Sequence, residues 1–157
     1  MARSTFLSRE LVTAIEIDAA PAGVWEALSD TRRYPEWNPF IRSIEGSLTT
    51  GERLRVSVAP PGGRAMVFRP RVLWSEPERG LSWIGRLVLP GLFDGEHTFE
   101  IEPTDASRVR FMQKEVFSGL LVPVVWGSMA DATREGFRLM NEALKARVES
   151  GGSASGE

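Results

Sequence analysis

The chain has 157 residues, of which 42% are hydrophobic, and this suits a single domain with a sizeable core. A net charge of −2, with arginines scattered along the chain, disfavours a nucleic-acid partner. The absence of cysteine excludes disulfides and thiol chemistry, and the N-terminus lacks the apolar run of a signal peptide, so we expect a cytoplasmic protein.

The first 40 residues predict one strand and two short helices. The strand covers residues 6–17, and a turn at 18–21 ends in a proline that suits the first position of a helix. This helix runs to about Ser29 with an apolar stripe. Residues 30–40 contain two prolines and predict a short second helix that ends in a turn, because a residue before proline disfavours the helical region. The stripe consists of Val24, Trp25 and Leu28.

Six closely spaced strands follow, which indicates an antiparallel sheet. Arg69 and Pro70 interrupt the third of them and predict a bulge or an edge position there. For the fourth, two registers are open. One turns Trp83 and Leu87 inward and the other turns Arg86 inward, and we favour the first. The six strands are predicted at residues 41–48, 53–59, 64–75, 81–89, 92–102 and 107–117.

The last two strands place the only histidine on an apolar face. Strict alternation puts His97 beside Phe99, and the next strand carries Gln113 and Glu115 among its apolar positions. A five-residue loop at 103–107 would pair His97 with Gln113, with Glu115 one diagonal step away. The same register pairs Glu96 with Lys114, Glu100 with Arg110, Glu102 with Arg108, Ile101 with Val109, Phe99 with Phe111 and Phe93 with Phe117.

A long amphipathic helix is predicted from Pro123 to Glu149. The longest apolar run, residues 119–130, is shorter than the roughly 20 residues that cross a bilayer, so we expect no transmembrane segment. Gly127 and Gly136 each cost the helix about 1 kcal/mol relative to alanine, which suggests close packing or a bend, unless they have no role. The apolar positions are Trp126, Met129, Ala130, Thr133, Phe137, Met140, Leu144 and Val148.

Together these elements predict an α+β helix-grip fold. A strongly curved, seven-stranded antiparallel sheet wraps around the long C-terminal helix, with two short helices after the first strand. Residues 1–149 form the single domain, and residues 150–157, which have nothing to bury, form a disordered tail. A curved sheet that grips one helix leaves room for a cavity between the two.

Several segments resemble the polyketide cyclase/dehydrase family of the START and birch-pollen-allergen (SRPBCC) superfamily. Residues 15–30 followed by 34–40 are similar to the opening of that family. Residues 90–103 and 117–123, together with the terminal helix, are similar to its bacterial branch.

The resemblance implies a hydrophobic cavity with entrance loops at residues 60–63 and 89–92. Members of the family include lipid and hormone carriers, aromatic polyketide cyclases, coenzyme Q-binding proteins and relatives of a chaperone activator. The resemblance therefore does not choose between an enzyme and a carrier.

His97 and Glu115 are the candidate catalytic pair, if the protein is an enzyme. His97 is either a buried neutral imidazole bonded to Gln113 or a group that contacts a ligand carbonyl or hydroxyl, and an imidazole suits proton transfer near neutrality. An inward Glu115 must be paired, protonated or solvated. The candidate ligand-binding residues are Trp37, Phe68, Trp83, His97, Phe99, Phe111, Gln113, Glu115, Met129, Thr133 and Phe137, with Met66 and Phe117 as weaker candidates.

Other chemistries lack support in the sequence. One histidine and no cysteine leave too few ligands for zinc or iron, and no hydrolase elbow or nucleotide-binding loop is present, so we expect no metal and no cofactor. The leading hypothesis is binding or transport of a small hydrophobic ligand such as a lipid, quinone or aromatic polyketide. The alternatives are a cofactor-independent cyclase, dehydratase or isomerase and a protein-interaction role. Monomer and homodimer both stay open.

Overall fold

The computed structural model of the chain describes residues 7–87 and 89–154. Eight strands and three α-helices follow one another in the order that the sequence predicts. They are β1 (Ser8–Ile17), α1 (Pro21–Ser29), a short 3-10 helix (Thr31–Arg33), α2 (Tyr34–Trp37), β2 (Ile41–Glu45), β3 (Arg55–Val58), β4 (Met66–Phe68), β5 (Arg71–Glu76), β6 (Gly80–Leu87), β7 (Phe93–Asp105), β8 (Arg108–Ser118) and α3 (Val122–Ala154).

The strands form two antiparallel sheets that enclose α3, which confirms the helix-grip fold. The larger sheet has the order β1-β8-β7-β6-β5 and the smaller one the order β2-β3-β4. Helix α3 packs mainly against β1 and also contacts β8 and α1. Among the described residues, no helix combines the length and the apolar character needed to cross a membrane.

The described residues form eight strands and not the predicted seven, because Arg69 and Pro70 divide one predicted strand. Proline has no N–H for a sheet ladder, so the chain leaves the small sheet after β4 and enters the large one at β5. Both pieces are edge strands, as the proline predicted. The backbone oxygen of Pro70 accepts a hydrogen bond from Leu54 N at 2.8 Å, which keeps the two sheets together at this point.

The hairpin of β7 and β8 has a register two residues away from the predicted one. His97 faces Glu115, and Gln113 faces Phe99. The five-residue loop was the wrong premise, since the strands continue to Asp105 and resume at Arg108. A bulge before Asp105 absorbs the extra residue and permits this tight turn. A shift of two residues leaves each side chain on its predicted face, because the side-chain period of a strand is two.

The predicted charge pairs of this hairpin are wrong as a consequence. Glu102 faces Arg110, while Glu96 and Glu100 face the apolar residues Val116 and Met112. The predicted apolar pairs change too, since Ile101 faces Phe111, Val109 faces Pro103 and Phe117 faces Gly95. Two basic side chains of this hairpin form ion pairs with acidic residues outside it. Lys114 Nζ lies 3.6 Å from Glu10 Oε2 on β1, and Arg108 Nε donates to Asp18 Oδ1 at 2.8 Å.

In β6, Trp83 points inward as favoured, and its side chain is buried, whereas Arg86 is exposed. The strand was predicted to end at Leu89, whereas β6 ends at Leu87 and Leu89 lies in a bend. Val88 and the side chain of Leu87 lie outside the description, so the inward position of Leu87 stays a prediction. Helix α3 buries its predicted apolar face, with Phe137, Met140 and Leu144 fully enclosed.

Helix α3 also continues to Ala154, so residues 150–154 of the expected tail are helical. Once a helix has nucleated, each added residue gains one backbone bond, which extends it past the packed face. Residues 155–157 of the expected tail lie outside the description, and the domain boundary at 149 stays a prediction.

The two glycines of α3 have different surroundings. A β carbon at Gly136 would lie 2.4 Å from ring atoms of Phe40, whereas one at Gly127 would have nothing within 4 Å. Gly136 therefore permits the close approach of Phe40, a residue that also packs edge-on against Phe137.

We expect Gly136→Ala to lower the free energy of unfolding by about 1–3 kcal/mol, because the ring of Phe40 must move. Gly127→Ala is the matched control and should raise it by about 0.5–1 kcal/mol, since alanine restricts the unfolded chain and favours helix. Urea unfolding of both variants measures the difference. Equal effects at the two positions would contradict the role of Gly136 in seating Phe40.

Candidate functional site

A cavity of about 580 Å³ is bounded by both sheets and by the first half of α3. Its walls are mainly apolar, as in most small-molecule sites. A shallower groove of about 710 Å³ beside α1 is lined by Trp25, Arg32 and several hydroxyl side chains, but not by His97 or Glu115. The apolar cavity that contains His97 and Glu115 is therefore the candidate site.

Six of the eleven predicted ligand-binding residues line this cavity. They are Phe68, Trp83, His97, Glu115, Met129 and Thr133, and the weaker candidates Met66 and Phe117 line it too.

The other five predicted residues lie elsewhere. Phe99, Phe111, Gln113 and Phe137 are fully buried behind the wall, where they support it. Trp37 lies against Tyr34, with the ring centroids 5.1 Å apart, and is not part of the wall. Its position follows from α2, a single turn in which Trp37 lies three residues after Tyr34 and on the same side of the helix.

Sequence reasoning predicted Met66 and Phe68 on β4 but missed the part of the wall that β2, β3 and the residue before β2 supply. Phe40, Ile41, Val56 and Val58 belong to this set, because only the folding of β2 and β3 over α3 brings them to the cavity. The loop at 60–63, implied by the resemblance to be an entrance, lines the cavity, whereas residues 89–92 are not among its described lining residues. The remaining wall residues are Pro70, Gly85, Phe93, Gly95, Leu121, Val125, Ser128 and Ala132.

Gly85 and Gly95 form a part of this wall that carries no side chains. They face each other on β6 and β7, and both line the cavity. A glycine on the inward face of a strand often marks a close approach, and this signal was available in the sequence. At Gly95 a β carbon would lie 2.7 Å from Glu115 Oε1, so the absence of a side chain makes room for the carboxyl group.

His97 is held by aromatic rings on three sides. Its ring stacks on Phe99 with centroids 4.2 Å apart, and Phe137 and Trp83 follow at 4.8 and 5.6 Å. The residue is 4% exposed. Burial lowers the pKa of His97 to about 3, although the hydrogen bond with Gln113 acts in the opposite direction. The imidazole is therefore neutral at physiological pH.

A chain of buried amides determines which nitrogen of His97 carries the proton. The amide nitrogen of Gln113 donates to the backbone oxygen of Phe137 at 3.2 Å and to Asn141 Oδ1 at 2.7 Å. Because a backbone carbonyl only accepts, the nitrogen of Gln113 must be on that side. Its oxygen consequently faces His97 Nε2 at 3.0 Å, and Nε2 must be the donor.

The chain ends at β1, where Asn141 Nδ2 donates to Thr13 Oγ1 at 3.0 Å. Neither Asn141 nor Thr13 was predicted from the sequence. A signal existed for Asn141, since it is four residues after Phe137 on the apolar stripe of α3. A polar residue at such a position needs a buried partner.

Glu115 completes the site. Its Oε2 lies 3.5 Å from His97 Nδ1, and its side chain is 17% exposed, toward the cavity that it lines. Among the described residues, no group donates a hydrogen bond to this carboxyl. Burial raises the pKa of Glu115 to about 8, so the carboxyl is protonated at neutral pH.

Near neutrality Glu115 therefore carries a titratable hydrogen, whereas the adjacent His97 is neutral with its hydrogen on Nε2. The carboxyl group lies 3.5 Å from the unprotonated Nδ1, because Nε2 is committed to Gln113. A pair of this kind donates a hydrogen bond to a ligand oxygen or exchanges a proton with it.

Comparisons with known proteins agree with this architecture. A family model described as polyketide cyclase / dehydrase and lipid transport matches residues 8–149. No curated protein matches the chain at a significant level.

Many solved structures share the fold. A START superfamily protein from Mycobacterium smegmatis is 21% identical with a TM-score of 0.70, over 90% of this chain and 97% of that one. The ZhuI aromatase/cyclase from Streptomyces sp. R1128 is 16% identical with a TM-score of 0.74, over 90% and 94%. Norcoclaurine synthase from Thalictrum flavum, in complex with dopamine and hydroxybenzaldehyde, is 14% identical with a TM-score of 0.70, over 96% and 94%.

Proposed function

Because the chain belongs to the polyketide cyclase / dehydrase and lipid transport family, we propose that its cavity binds or carries a small hydrophobic molecule. A lipid, a quinone or an aromatic polyketide would suit it. The observation that carries the proposal is the apolar cavity of about 580 Å³, a volume within the usual range for small-molecule sites. Affinity comes from apolar burial, at about 25 cal/mol per Å².

The polar end of the ligand lies at Glu115 and His97. This pair is the only titratable group among the described residues that line the cavity. Gln113 does not contact the ligand but fixes the imidazole through its 3.0 Å bond to Nε2. The pair thus orients the ligand, while the aromatic and aliphatic walls hold its body.

A second candidate function is supported by the same pair. A protonated carboxyl group beside a neutral imidazole in an apolar cavity suits a cofactor-independent cyclase, dehydratase or isomerase. His97 Nδ1 would accept a proton from carbon, and Glu115 would deliver a proton to the carbonyl oxygen that takes up the charge. Shape and proximity would supply most of the acceleration. A mainly apolar cavity between the two sheets and α3 favours these two functions over a protein-interaction role.

A binding titration tests the proposal. We expect the neutral fluorophore N-phenyl-1-naphthylamine to bind with one-to-one stoichiometry, and an organic extract of the purified protein to contain an apolar compound. Absence of any binding by the folded protein would contradict both functions.

Turnover separates the two candidates. If a reactive poly-β-ketone is converted, and His97→Gln removes the conversion while probe binding persists, the protein is an enzyme. If probe binding is retained and no conversion occurs, the carrier function stands. The cytoplasmic location and the oligomeric state stay predictions.

A further inference from the structure

The polar groups of the cavity wall are few and include no cation among the described residues. Apart from His97 and Glu115, the side chains with nitrogen or oxygen atoms are Trp83, Ser128 and Thr133, and the indole N–H of Trp83 is an uncharged donor. Ser128 Oγ donates to the backbone oxygen of Val125 at 2.9 Å, and Thr133 Oγ1 donates to that of Met129 at 2.8 Å. Both hydroxyl hydrogens are therefore used inside α3, and the described wall offers a ligand neither an ammonium nor a guanidinium.

In the part of the chain that the structure describes, no lysine or arginine forms an ion pair with Glu115. On β7 its partner is His97, and on β1 its partner is Leu11. Arg9 lies two residues before Leu11 on the same face, and its guanidinium donates to the backbone oxygen of Ser8. Lys114, the neighbour of Glu115 on β8, points to the outer face and approaches Glu10. From α3, Met129 and Thr133 line the same cavity without charge.

The carboxyl hydrogen of Glu115 is thus the one titratable hydrogen that the described side chains of the wall present to a ligand. Nε2–H of His97 is bound to Gln113, and Nδ1 faces the carboxyl. A ligand carbonyl can accept this hydrogen. A ligand carboxylate would lose its hydration without meeting a cation, and an unpaired buried charge is strongly unfavourable.

Resting on the proposed function, we propose that the cavity selects uncharged ligands that end in a carbonyl group and rejects the corresponding carboxylates. Glu115 donates the hydrogen bond that holds the carbonyl oxygen. The raised pKa of Glu115 supports this role, because the donor is present at neutral pH and disappears as the pH rises past about 8.

A matched ligand pair tests the selectivity. 2-Acetylnaphthalene and 2-naphthoate have nearly the same shape, and a methyl group in one replaces a charged oxygen in the other. Competition against N-phenyl-1-naphthylamine at pH 7 should show the ketone binding about 100-fold more tightly than the carboxylate. Raising the pH to 9.5 should weaken ketone binding several-fold, as Glu115 loses its hydrogen.

Two variants of Glu115 test whether its carboxyl group is the hydrogen-bond donor. Glu115→Gln retains an N–H donor, so its ketone affinity should be independent of pH between 7 and 9.5. Glu115→Leu removes the donor and should reduce the preference for 2-acetylnaphthalene over 2-ethylnaphthalene, which has no carbonyl, by about 10-fold.

The outcomes distinguish this inference from the proposed function. If none of the naphthalenes binds, the proposed function itself fails. If the ketone and the carboxylate bind equally well, or if Glu115→Leu leaves the ketone preference intact, the cavity binds apolar ligands but does not select them by charge, and the inference is overturned.

Discussion

Gly85→Phe is expected to abolish binding of an apolar ligand while the protein stays folded. Gly85 lies two residues after Trp83 on the inward face of β6 and lines the cavity. A β carbon at this position would find its nearest atoms, Gly95 O and Pro70 Cβ, at 4.0 Å. The new ring can therefore enter the cavity without a clash in the backbone. Aromatic residues are also favoured in strands, so we do not expect the substitution to destabilise β6.

The expected loss is about 100-fold in the affinity for N-phenyl-1-naphthylamine, which corresponds to about 2.7 kcal/mol. Gly85→Ala and Gly85→Leu should give intermediate losses, because they fill less of the same space. The ligand should raise the midpoint of thermal unfolding in the wild type but not in Gly85→Phe, since ligand binding stabilises only a protein that retains the site.

Gly127→Phe is the matched control, because it adds the same ring at an exposed position of α3 with nothing within 4 Å of the β carbon. It should leave the affinity unchanged. Undiminished probe binding by a folded Gly85→Phe variant would place the ligand outside the cavity, with the groove beside Trp25 as the next location to test.

The second large effect concerns the pH dependence of stability, to which His97 and Glu115 contribute with opposite signs. The pKa of His97 is about 6.5 when unfolded and about 3 when folded, so acidification from pH 6.5 to 3 destabilises the fold. The pKa of Glu115 is about 4.5 when unfolded and about 8 when folded. Its stabilising contribution is complete below pH 4.5 and is lost as the pH rises to about 8.

Between pH 4.5 and 6.5 the two contributions oppose each other, whereas from pH 6.5 to 8 Glu115 acts alone. The wild type should lose up to about 1.4 kcal/mol per pH unit in this upper interval. Glu115→Gln has no proton to lose there, so its free energy of unfolding should be flat relative to the wild type. Urea unfolding at pH 5, 6.5 and 8 measures both curves.

Glu100→Gln serves as the control, since Glu100 is exposed on the outer face of β7. Its pH profile should follow that of the wild type. If Glu115→Gln kept the decline between pH 6.5 and 8, the buried carboxyl would not be the group that titrates, and the assignment of a protonated Glu115 at neutral pH would be contradicted.

These two experiments bear on different parts of the site. Filling the cavity at Gly85 tests whether the apolar space holds the ligand, and the pH profile tests whether Glu115 carries a titratable proton. If this cavity both holds an apolar ligand and carries a titratable proton at its polar end, both expected results must be observed.

Alternation along the sequence was enough to place His97, Gln113 and Glu115 on the inward face. The period of two makes that assignment independent of the exact pairing, so it survived a register that was wrong by two residues. The apolar stripe of α3 and the break at Pro70 were equally local properties, because helix period and the missing N–H of proline act within one element.

Tertiary structure alone decided what these side chains meet. The bulge in the hairpin put Glu115 opposite His97, and the small sheet supplied much of the cavity wall. The position of the proton depends on a backbone carbonyl and on Asn141 in α3, both distant in sequence from His97. Periodicity indicates which face of a strand or helix a residue occupies. The strand register, the composition of the cavity wall and the protonation of His97 depend on contacts between different elements, and no single segment of the sequence determines those contacts.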